Sequence, residues 1–327
     1  MNILITGGLG FIGSNIAKYF IKHNHNVTVT THTRSSMWRL LPYFDSVNVI
    51  DLDITNSAET VEKLRTTDPD IIIHNVAFGI YHEKDQEKVF DTNIFGTLNM
   101  VNAYMKTRSN LLINTSSVSE YGISKKEFEE DDRIKPLGDY GVSKASATLF
   151  CESAHELTGK KIITTRISNA YGPNERPQDI IPYLLVNKIR DKEVRLNSPS
   201  NTRDFIFIDD VAEAYGKIVF AYEQINTSIL NIATGIGTSI EKLVEIINGI
   251  DPNSNKIKAV WNSNDPRVID KAAYYSVSTK RVNNDLKWRP SYSIKDGIKK
   301  FYLWMAEINA GEQNEIKDTY FASVKKG

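Results

Sequence analysis

The sequence has little of several features that would define whole classes of protein. Cys151 is its single cysteine in 327 residues, so no intrachain disulfide can form and a reducing, cytoplasmic location is expected. Lysine plus arginine and aspartate plus glutamate both number 40, so neither a nucleic-acid partner nor an anionic membrane is expected. No apolar run approaches the roughly 18 residues of a membrane-spanning helix. The histidines lack metal-ligand spacing, so no metal site is expected.

Short apolar and β-branched runs alternate with helical patterns through the first half of the chain. They predict strands at 2–6, 26–31, 47–54, 70–76, 110–115 and 161–167, and helices at 56–66, 86–106 and 143–158. This alternation is typical of a parallel sheet covered by helices on both faces. We therefore expect an α/β fold with a doubly wound, Rossmann-type sheet, whose ligands bind at the carboxyl ends of the strands.

The pattern changes after about residue 170, where prolines interrupt the chain. Helical patterns then mix with short strands such as Ser228–Ala233; the helices are expected at 180–191, 209–223, 239–249 and 295–308. We expect a dinucleotide-binding domain at 1–170 and a smaller, mixed, mainly substrate-binding region at 171–327, with room for the chain to cross back to the first sheet. Residues 311–327 are polar and predict a terminal helix or a loose tail.

Three of the four glycines in the N-terminal sequence LITGGLGFIG, namely Gly7, Gly10 and Gly13, are spaced three residues apart. They follow a predicted strand directly and precede a helical pattern. A glycine turn at this point lets backbone N–H groups and the positive end of the helix approach a pyrophosphate, where a Cβ would hold them away. The spacing is G-x-x-G-x-x-G rather than G-x-G-x-x-G, and it predicts a dinucleotide site.

Tyr140 and Lys144 in YGVSK stand one helical turn apart. An ammonium near a phenol lowers its pKa, which makes tyrosine a usable acid or base near neutral pH. Tyr121 and Lys125 in YGISK repeat the pattern, but a charged segment follows them, whereas a long helical pattern follows Tyr140. Because a catalytic pair needs a rigid element, we favour Tyr140 and Lys144. The alternative is a solvated tyrosine beside a solvated lysine.

Asn114-Thr115-Ser116-Ser117 ends the fifth predicted strand, where a doubly wound sheet places its site. A hydroxyl there can hydrogen-bond a substrate oxygen and orient it toward the tyrosine. The same residues are also common in ordinary turns at strand ends.

Several segments, in order, resemble the extended short-chain dehydrogenase/reductase family, the group of nucleotide-sugar epimerases, dehydratases and reductases. The resemblance extends to about residue 305 and is carried by TGGLGFIG, DLDI at 51–54, HNVA at 74–77, DTNIFGTLN, SSVSEYG at 116–122, YGVSK, RISNAYGP at 166–173, RDFIFIDDVAEA at 203–214 and LKWRP at 286–290.

The resemblance implies roles for individual residues. Ser117 would be the catalytic hydroxyl, Tyr140 the acid–base residue, and Lys144 the residue that holds the nicotinamide ribose and tunes the phenol. The expected cofactor contacts are Gly7, Gly10, Phe11, Ile12, Gly13, Thr31, Arg34, Asp53, Ile54, Ala77, Asn93, Tyr140, Lys144 and Tyr171. The expected contacts with a nucleotide-diphosphate sugar are Asn169, Arg203, Arg267 and Asp270. For Arg203 and Arg267 the alternative is a surface ion pair.

One departure from the family concerns the cofactor. NAD-using relatives carry an acid about twenty residues after the glycine loop, and Thr31 stands there in this chain, followed closely by Arg34. A hydroxyl and a guanidinium attract a 2′-phosphate that an acid would repel, so we expect NADP, with NAD as the alternative. Trp38 and Arg39 are expected to be a packing and a surface residue.

A second departure concerns the reaction. The family's 4,6-dehydratases carry Asp-Glu after the catalytic threonine, whereas this chain has Val118-Ser119, with Glu120 one position late. Dehydration is therefore not expected. The favoured reaction is NADPH reduction of a keto-sugar nucleotide, a reaction that a dehydrogenase runs in reverse. The alternatives are an NAD-dependent 4-epimerase and a non-catalytic NADP-sensing protein.

The family often dimerises through two helices of each subunit, which pack as a four-helix bundle. The corresponding helices here are those predicted at 86–106 and 143–158, so a homodimer is expected. The apolar stripe of the first helix fits equally well against the sheet.

Overall fold

The computed structural model describes residues 1–32, 34–79, 85–124, 126–251, 253–261, 276–310 and 315–321, with the side chains at 34–36, 315 and 319 outside the description. Its strands are β1 (Asn2–Thr6), β2 (Asn26–Thr31), β3 (Val47–Asp51), β4 (Ile71–His74), β5 (Leu111–Ser117), β6 (Ile162–Ile167), β7 (Asn169–Tyr171), β8 (Glu193–Leu196), β9 (Thr202–Phe207), β10 (Ile229–Ile232), β11 (Gly237–Ser239) and β12 (Lys258–Trp261).

Helices separate most of these strands. They are α1 (Phe11–Lys22), α2 (Ser57–Thr67), α3 (Gln86–Phe90), α4 (Gly96–Tyr104), α5 (Gly138–Thr158), α6 (Ile180–Ile189), α7 (Ile208–Ala221), α8 (Ile240–Asn248), α9 (Lys280–Leu286), α10 (Ile294–Ala310) and α11 (Glu315–Phe321). Three 3₁₀ segments lie at Arg34–Ser46, Val118–Glu120 and Tyr222–Gln224, and a π-helical turn lies at Asp91–Phe95.

The main sheet has seven strands in the order β10-β6-β5-β4-β1-β2-β3, and every neighbouring pair is parallel. Alternate residues of its strands enter two separate cores. Ile3 and Ile5 pack with α1 and α7, whereas Leu4 packs on the opposite face with α2, α4 and α5. The expected doubly wound fold is confirmed. Cys151 of α5 is buried in the second of these cores as a small apolar residue.

The six predicted strands of the first half are confirmed within a few residues, and two of the predicted helices differ. The helix predicted at 86–106 is divided into α3, the π turn and α4. The helix predicted from residue 143 begins at Gly138, so both Tyr140 and Lys144 lie within α5. Helix α2 begins as its sequence suggests, because the Asn56 side chain accepts a hydrogen bond from the Glu59 amide at 3.1 Å.

The C-terminal half has its own core. It is built on a three-stranded sheet in the order β11-β9-β7 and a parallel pair of β8 and β12, packed by α6, α8, α10 and α11. Tyr320 and Phe321 of α11 are buried in it, so residues 315–321 form a docked terminal helix. The strand β10 crosses back to pair with β6, and the boundary near residue 170 stays a prediction. Among the described residues, no helix is both long and apolar enough to span a membrane.

Candidate active site

The glycine loop connects β1 to the N-terminus of α1. It passes close to the backbone that follows β4. Gly7 has a φ of +63°, and a Cβ on it would lie 3.0 Å from the Asn75 carbonyl oxygen. A Cβ on Gly13 would overlap the Gly7 carbonyl oxygen and lie 2.9 Å from the Gly8 Cα. Gly10 caps the helix without a side chain, and the first turn of α1 has no acidic residue. The positive end of α1 is therefore open to an anion, which fits a dinucleotide pyrophosphate.

A cavity of about 610 Å³ opens beside this loop at the carboxyl ends of the strands. It brings together five of the predicted cofactor residues: Gly7, Gly10, Thr31, Asp53 and Ile54. Partial burial acts to raise the pKa of Asp53, but hydrogen bonds from the Thr55 hydroxyl at 2.7 Å and amide at 2.9 Å hold that pKa below its usual value. Asp53 is therefore an ionised acceptor at the edge of the cavity.

Phe11, Ile12, Ala77 and Asn93 are the next predicted cofactor residues. Phe11 and Ile12 begin α1 and are half-buried against its core. Ala77 is exposed just after β4. Asn93 is buried in the π turn, where its amide group exchanges hydrogen bonds of 2.8 Å with both backbone groups of Phe78 and donates to the Ser143 hydroxyl at 2.9 Å. It therefore ties the segment after β4 to α5, and π turns are often found at functional sites.

Arg39 was expected at the surface, and this expectation was wrong. Its guanidinium lines the same cavity, lies 4.2 Å from the Trp38 ring, and donates to the Asn174 carbonyl at 2.9 Å and the Leu9 carbonyl at 3.4 Å. Burial lowers the pKa of Arg39 to about 10, which leaves it charged at neutral pH. No local pattern in the sequence could have placed it there, because both carbonyls that it binds are distant in the chain. Trp38 is buried as expected. The Arg34 side chain lies outside the described part of the chain.

The three predicted catalytic residues come together at the ends of β5 and α5. Lys144 is buried and donates from Nζ to the Thr115 carbonyl at 2.6 Å. A hydrogen bond links the Tyr140 phenol to Ser117, and the Ser117 hydroxyl also accepts from the Ser119 amide at 3.2 Å. Burial raises the pKa of Tyr140, and the Ser117 hydrogen bond opposes this effect. Burial lowers the pKa of Lys144 to about 8. The structure thus places the Tyr140 phenol on Ser117, with Lys144 one helical turn further along α5.

The duplicate motif is placed quite differently. Tyr121 is buried at the end of a 3₁₀ turn, stacks on Phe128 with 4.8 Å between ring centroids, and donates to the Asn231 side chain at 2.7 Å. Burial raises the pKa of Tyr121 to about 12. Lys125 lies outside the described residues. Tyr121 thus belongs to the packed interior, a distinction that its sequence context could only suggest.

Glu120 is a buried acid to which the sequence analysis gave no role in the site. Its carboxylate forms an ion pair with Arg166 at 2.8 Å and accepts from the Thr148 hydroxyl at 2.6 Å and from Ser116. The family pattern gave only its position one residue past the dehydratase pair. The side chain lies just past the carboxyl end of β5, in a hydrogen-bond network that includes Arg166, Tyr121 and Glu130.

Two of the predicted substrate residues lie together on neighbouring strands. Arg203 of β9 donates to the Asn169 side chain of β7 at 3.4 Å, and Asn169 donates in turn to the Asp204 carbonyl at 3.1 Å. Arg267 and Asp270 lie outside the described residues. Tyr171 is buried in the C-terminal core and donates to the Ile294 carbonyl at 3.3 Å, so the structure does not place it among the residues that line the cavity.

Within the described ranges, no group of three or more His, Cys, Asp or Glu side chains could hold a metal ion. His74 is buried between Thr6 and Thr97, with ring nitrogens 2.8 Å and 3.1 Å from their hydroxyls. Burial and the charge of Lys144 lower the pKa of His74 to about 3, so it is neutral near Lys144.

Comparison with known proteins identifies the family. The model of the NAD dependent epimerase/dehydratase family matches residues 3–233. The chain belongs to the NAD dependent epimerase/dehydratase family. It is accordingly an enzyme of the nucleotide-sugar epimerase, dehydratase and reductase group, as the sequence resemblance implied.

Relatives in this NAD dependent epimerase/dehydratase family catalyse different reactions. The chain is 29% identical to the dTDP-4-dehydro-6-deoxyglucose reductase of Escherichia coli, over 91% of this chain and 95% of that protein. It is 27% identical to human dTDP-D-glucose 4,6-dehydratase, over 93% and 90%. The crystal structure of a UDP-glucuronic acid 4-epimerase from Bacillus cereus in complex with NAD superposes with a TM-score of 0.84 at 24% identity, over 95% and 99%. The fold is shared, and the family does not fix the reaction.

Proposed function

We propose that this enzyme reduces a keto-sugar nucleotide with NADPH, using Ser117, Tyr140 and Lys144. The observation that carries the proposal is the hydrogen-bonded Ser117–Tyr140 pair, with buried Lys144 one helical turn away, at the same sheet edge as the cavity beside the glycine loop. A sensing protein needs no such proton donor, which argues against the non-catalytic alternative.

The roles follow from the chemistry of each group. The nicotinamide supplies the hydride when the cofactor is bound. The Ser117 hydroxyl would donate a hydrogen bond to the substrate carbonyl oxygen and hold it near the phenol. Tyr140 would give its proton to that oxygen as it becomes a hydroxyl. The ammonium of Lys144 would stabilise the phenolate that is left, which lowers the cost of the transfer. Asn169 and Arg203 would bind the diphosphate, for which a guanidinium is suited.

NADP is favoured over NAD by the residues at the edge of the cavity near β2. Thr31 stands in place of the acid, and Arg39 lines the same cavity. Within the described chain, Arg39 contacts backbone carbonyls and forms no ion pair with a carboxylate. We propose that Arg39, together with Arg34, binds the 2′-phosphate of NADP.

Dehydration is not proposed. The Glu120 carboxylate is bound to Arg166 and two hydroxyls in the interior. Val118 and Ser119 carry no carboxylate that could replace it.

The second candidate is an NAD-dependent 4-epimerase. It is favoured by the likeness to a 4-epimerase solved with NAD. An epimerase must retain its cofactor between two hydride transfers, whereas a reductase must release it.

The cofactor carried by the purified protein separates the two candidates. The protein would be dialysed, denatured, and its supernatant examined for NAD and NADP by absorbance and chromatography. The empty protein would then be offered NADPH with dTDP-4-dehydro-6-deoxyglucose, and separately UDP-glucose, UDP-glucuronic acid and dTDP-glucose. An empty site and NADPH oxidation support the reductase. Retained NAD with conversion of a sugar nucleotide to its 4-epimer supports the second candidate.

We also propose that the enzyme is a cytoplasmic homodimer. Phe95, which ends the π turn, and Leu149 and Leu157 on α5 are 54%, 56% and 83% exposed, on the helices that the family uses for dimerisation. A second copy of the same face would cover these apolar side chains.

A further inference from the structure

Glu120 is completely buried in the 3₁₀ turn that follows β5. Hydrogen bonds reach its carboxylate from three directions: from the Thr148 hydroxyl at 2.6 Å, from the Arg166 Nε at 2.8 Å, and from the Ser116 hydroxyl. Both carboxylate oxygens are engaged. An acid in such a position is costly to bury, and it is retained only where its partners are fixed.

These partners belong to the elements that carry the proposed catalytic residues. Ser116 directly precedes Ser117 on β5, and it pairs in register with Arg166 of β6. Thr148 lies one turn after Lys144 on α5, so the two side chains share a helix face. The Glu120 carboxylate therefore joins the strand that bears Ser117 to the helix that bears Tyr140 and Lys144.

The surrounding ionisable groups come from four elements. Arg166 of β6 faces Glu120. The negative charge of Glu120 acts to raise the pKa values of four groups on α5, namely Tyr140, Lys144, Cys151 and Glu152. His74 of β4 faces Lys144 and is neutral. In the segment before α5, Glu130 lies beyond Arg166, whose Nη1 donates to the Glu130 carbonyl at 3.0 Å, and Arg281 of α9 lies beyond Glu130.

We propose that Glu120 is a positioning residue: its buried carboxylate clamps β5 against α5 through Ser116 and Thr148, and its negative charge acts on the Lys144 ammonium one helical turn from Thr148. The inference rests on the proposed role of Lys144. Burial alone lowers the pKa of Lys144, and the charge of Glu120 opposes that effect. Without Glu120, Lys144 would lose its proton at a lower pH.

Glu120→Gln tests the charge with little change of shape. The Gln oxygen can still accept from Arg166, and the hydroxyls of Ser116 and Thr148 can rotate to accept from its NH₂ group. Glu130→Gln is the matched control, because Glu130 is also a buried acid of the Arg166 network but makes no contact with Ser116 or Thr148. Lys144→Met identifies the titration that belongs to Lys144.

The measurement is the dissociation constant of NADPH and of NADH, followed by cofactor fluorescence from about pH 6 to about pH 10. In the wild type, affinity should fall as Lys144 loses its proton. In Glu120→Gln this fall should occur about one pH unit lower, which is the size of effect expected from one nearby charge. Glu130→Gln should follow the wild type, and Lys144→Met should show no such fall.

Each other outcome has a definite meaning. The proposal for Glu120 is overturned if the NADPH affinity of Glu120→Gln falls at the same pH as that of the wild type. It is also overturned if Glu130→Gln shifts that pH as much as Glu120→Gln does. A fall that persists in Lys144→Met instead removes the proposed role of Lys144. If Glu120→Gln does not fold by circular dichroism, Thr148→Val replaces it. That variant removes the hydrogen bond between the carboxylate and α5. The pH at which NADPH affinity falls should then shift in the same direction as in Glu120→Gln, but by less, and an unshifted pH rejects the inference.

Discussion

The Tyr121 phenol donates a hydrogen bond to the Asn231 side chain at 2.7 Å, which anchors β10 to the turn that follows β5. The same phenol accepts from the Arg166 guanidinium at 3.0 Å. Tyr121, the tyrosine of the duplicate Tyr-x-x-x-Lys motif, thus links β10 and β6 to the turn after β5. Tyr140 is instead hydrogen-bonded to Ser117, where substrate is proposed to bind.

Replacing each tyrosine by phenylalanine should separate these roles. Tyr140→Phe removes the proposed proton donor, so turnover should fall by about 10²- to 10⁴-fold with cofactor affinity nearly unchanged. Tyr121→Phe leaves buried partners unsatisfied, so it should lower the free energy of unfolding by about 1–3 kcal/mol and spare turnover. Steady-state kinetics and urea denaturation check both. Wild-type turnover in Tyr140→Phe would reject the proposed acid.

Arg39→Ala should weaken NADPH far more than NADH. Loss of a charge-assisted contact with a 2′-phosphate corresponds to about 10- to 100-fold in the dissociation constant of NADPH. Arg34→Ala should have an effect in the same direction. Equal weakening of NADPH and NADH by Arg39→Ala would show that Arg39 only supports the Leu9 and Asn174 backbones. Fluorescence titration measures both constants.

Gly13→Ala should prevent cofactor binding or destabilise the fold, because the added Cβ meets backbone atoms of Gly7 and Gly8 that have no room to move. Gly159→Ala is the control: its φ of +70° strains an alanine, but no atom lies within 4 Å of the added Cβ. The control should lose about 1 kcal/mol of stability and keep its cofactor affinity. Normal affinity in Gly13→Ala would contradict the close approach.

Lys144 should give stability an unusual pH dependence. Its pKa is about 8 in the folded protein and 10.5 in the unfolded reference, so between these values the unfolded chain binds more protons. The contribution of Lys144 is therefore least favourable below about pH 8, and it improves as the pH rises toward 10.5. Urea denaturation over this range should show the wild type gaining stability relative to Lys144→Met. A constant difference would mean that Lys144 titrates normally.

Leu149→Glu should convert the proposed dimer to a monomer, because it places a charge in the covered face. Leu303→Glu is a suitable control, since Leu303 is 51% exposed on α10, outside that face. Light scattering after size-exclusion chromatography gives the two masses. A dimer that survives Leu149→Glu would place the interface elsewhere.

Much of the first half of the fold could be predicted, because each buried parallel strand is a short apolar run such as Ile71–His74. The glycine pattern after the first strand and the end of the fifth strand then located the glycine loop and Ser117, and the family resemblance supplied Asp53. The division of the helix at Asp91–Phe95 could not be predicted, since no proline or glycine marks the π turn inside it.

The positions of Arg39 and Glu120 depend on contacts distant in sequence. Arg39 is held by the Asn174 carbonyl, 135 residues away, and Glu120 by Arg166, 46 residues away. Local periodicity carries no information about such partners. Charged residues are usually exposed, so sequence reasoning left both outside the predicted site.

The seventh strand of the main sheet has a consequence for the order of folding. As the chain leaves the ribosome, β6 emerges with one edge free, and its neighbour β10 follows only after the whole segment from Ser168 to Ser228. Until β10 has been made, the unpaired N–H and C=O groups on this edge of β6 can pair with a strand of another chain. A shortened chain that stopped near residue 170 would keep that edge permanently, and it should aggregate even though its glycine loop and proposed catalytic residues were all present.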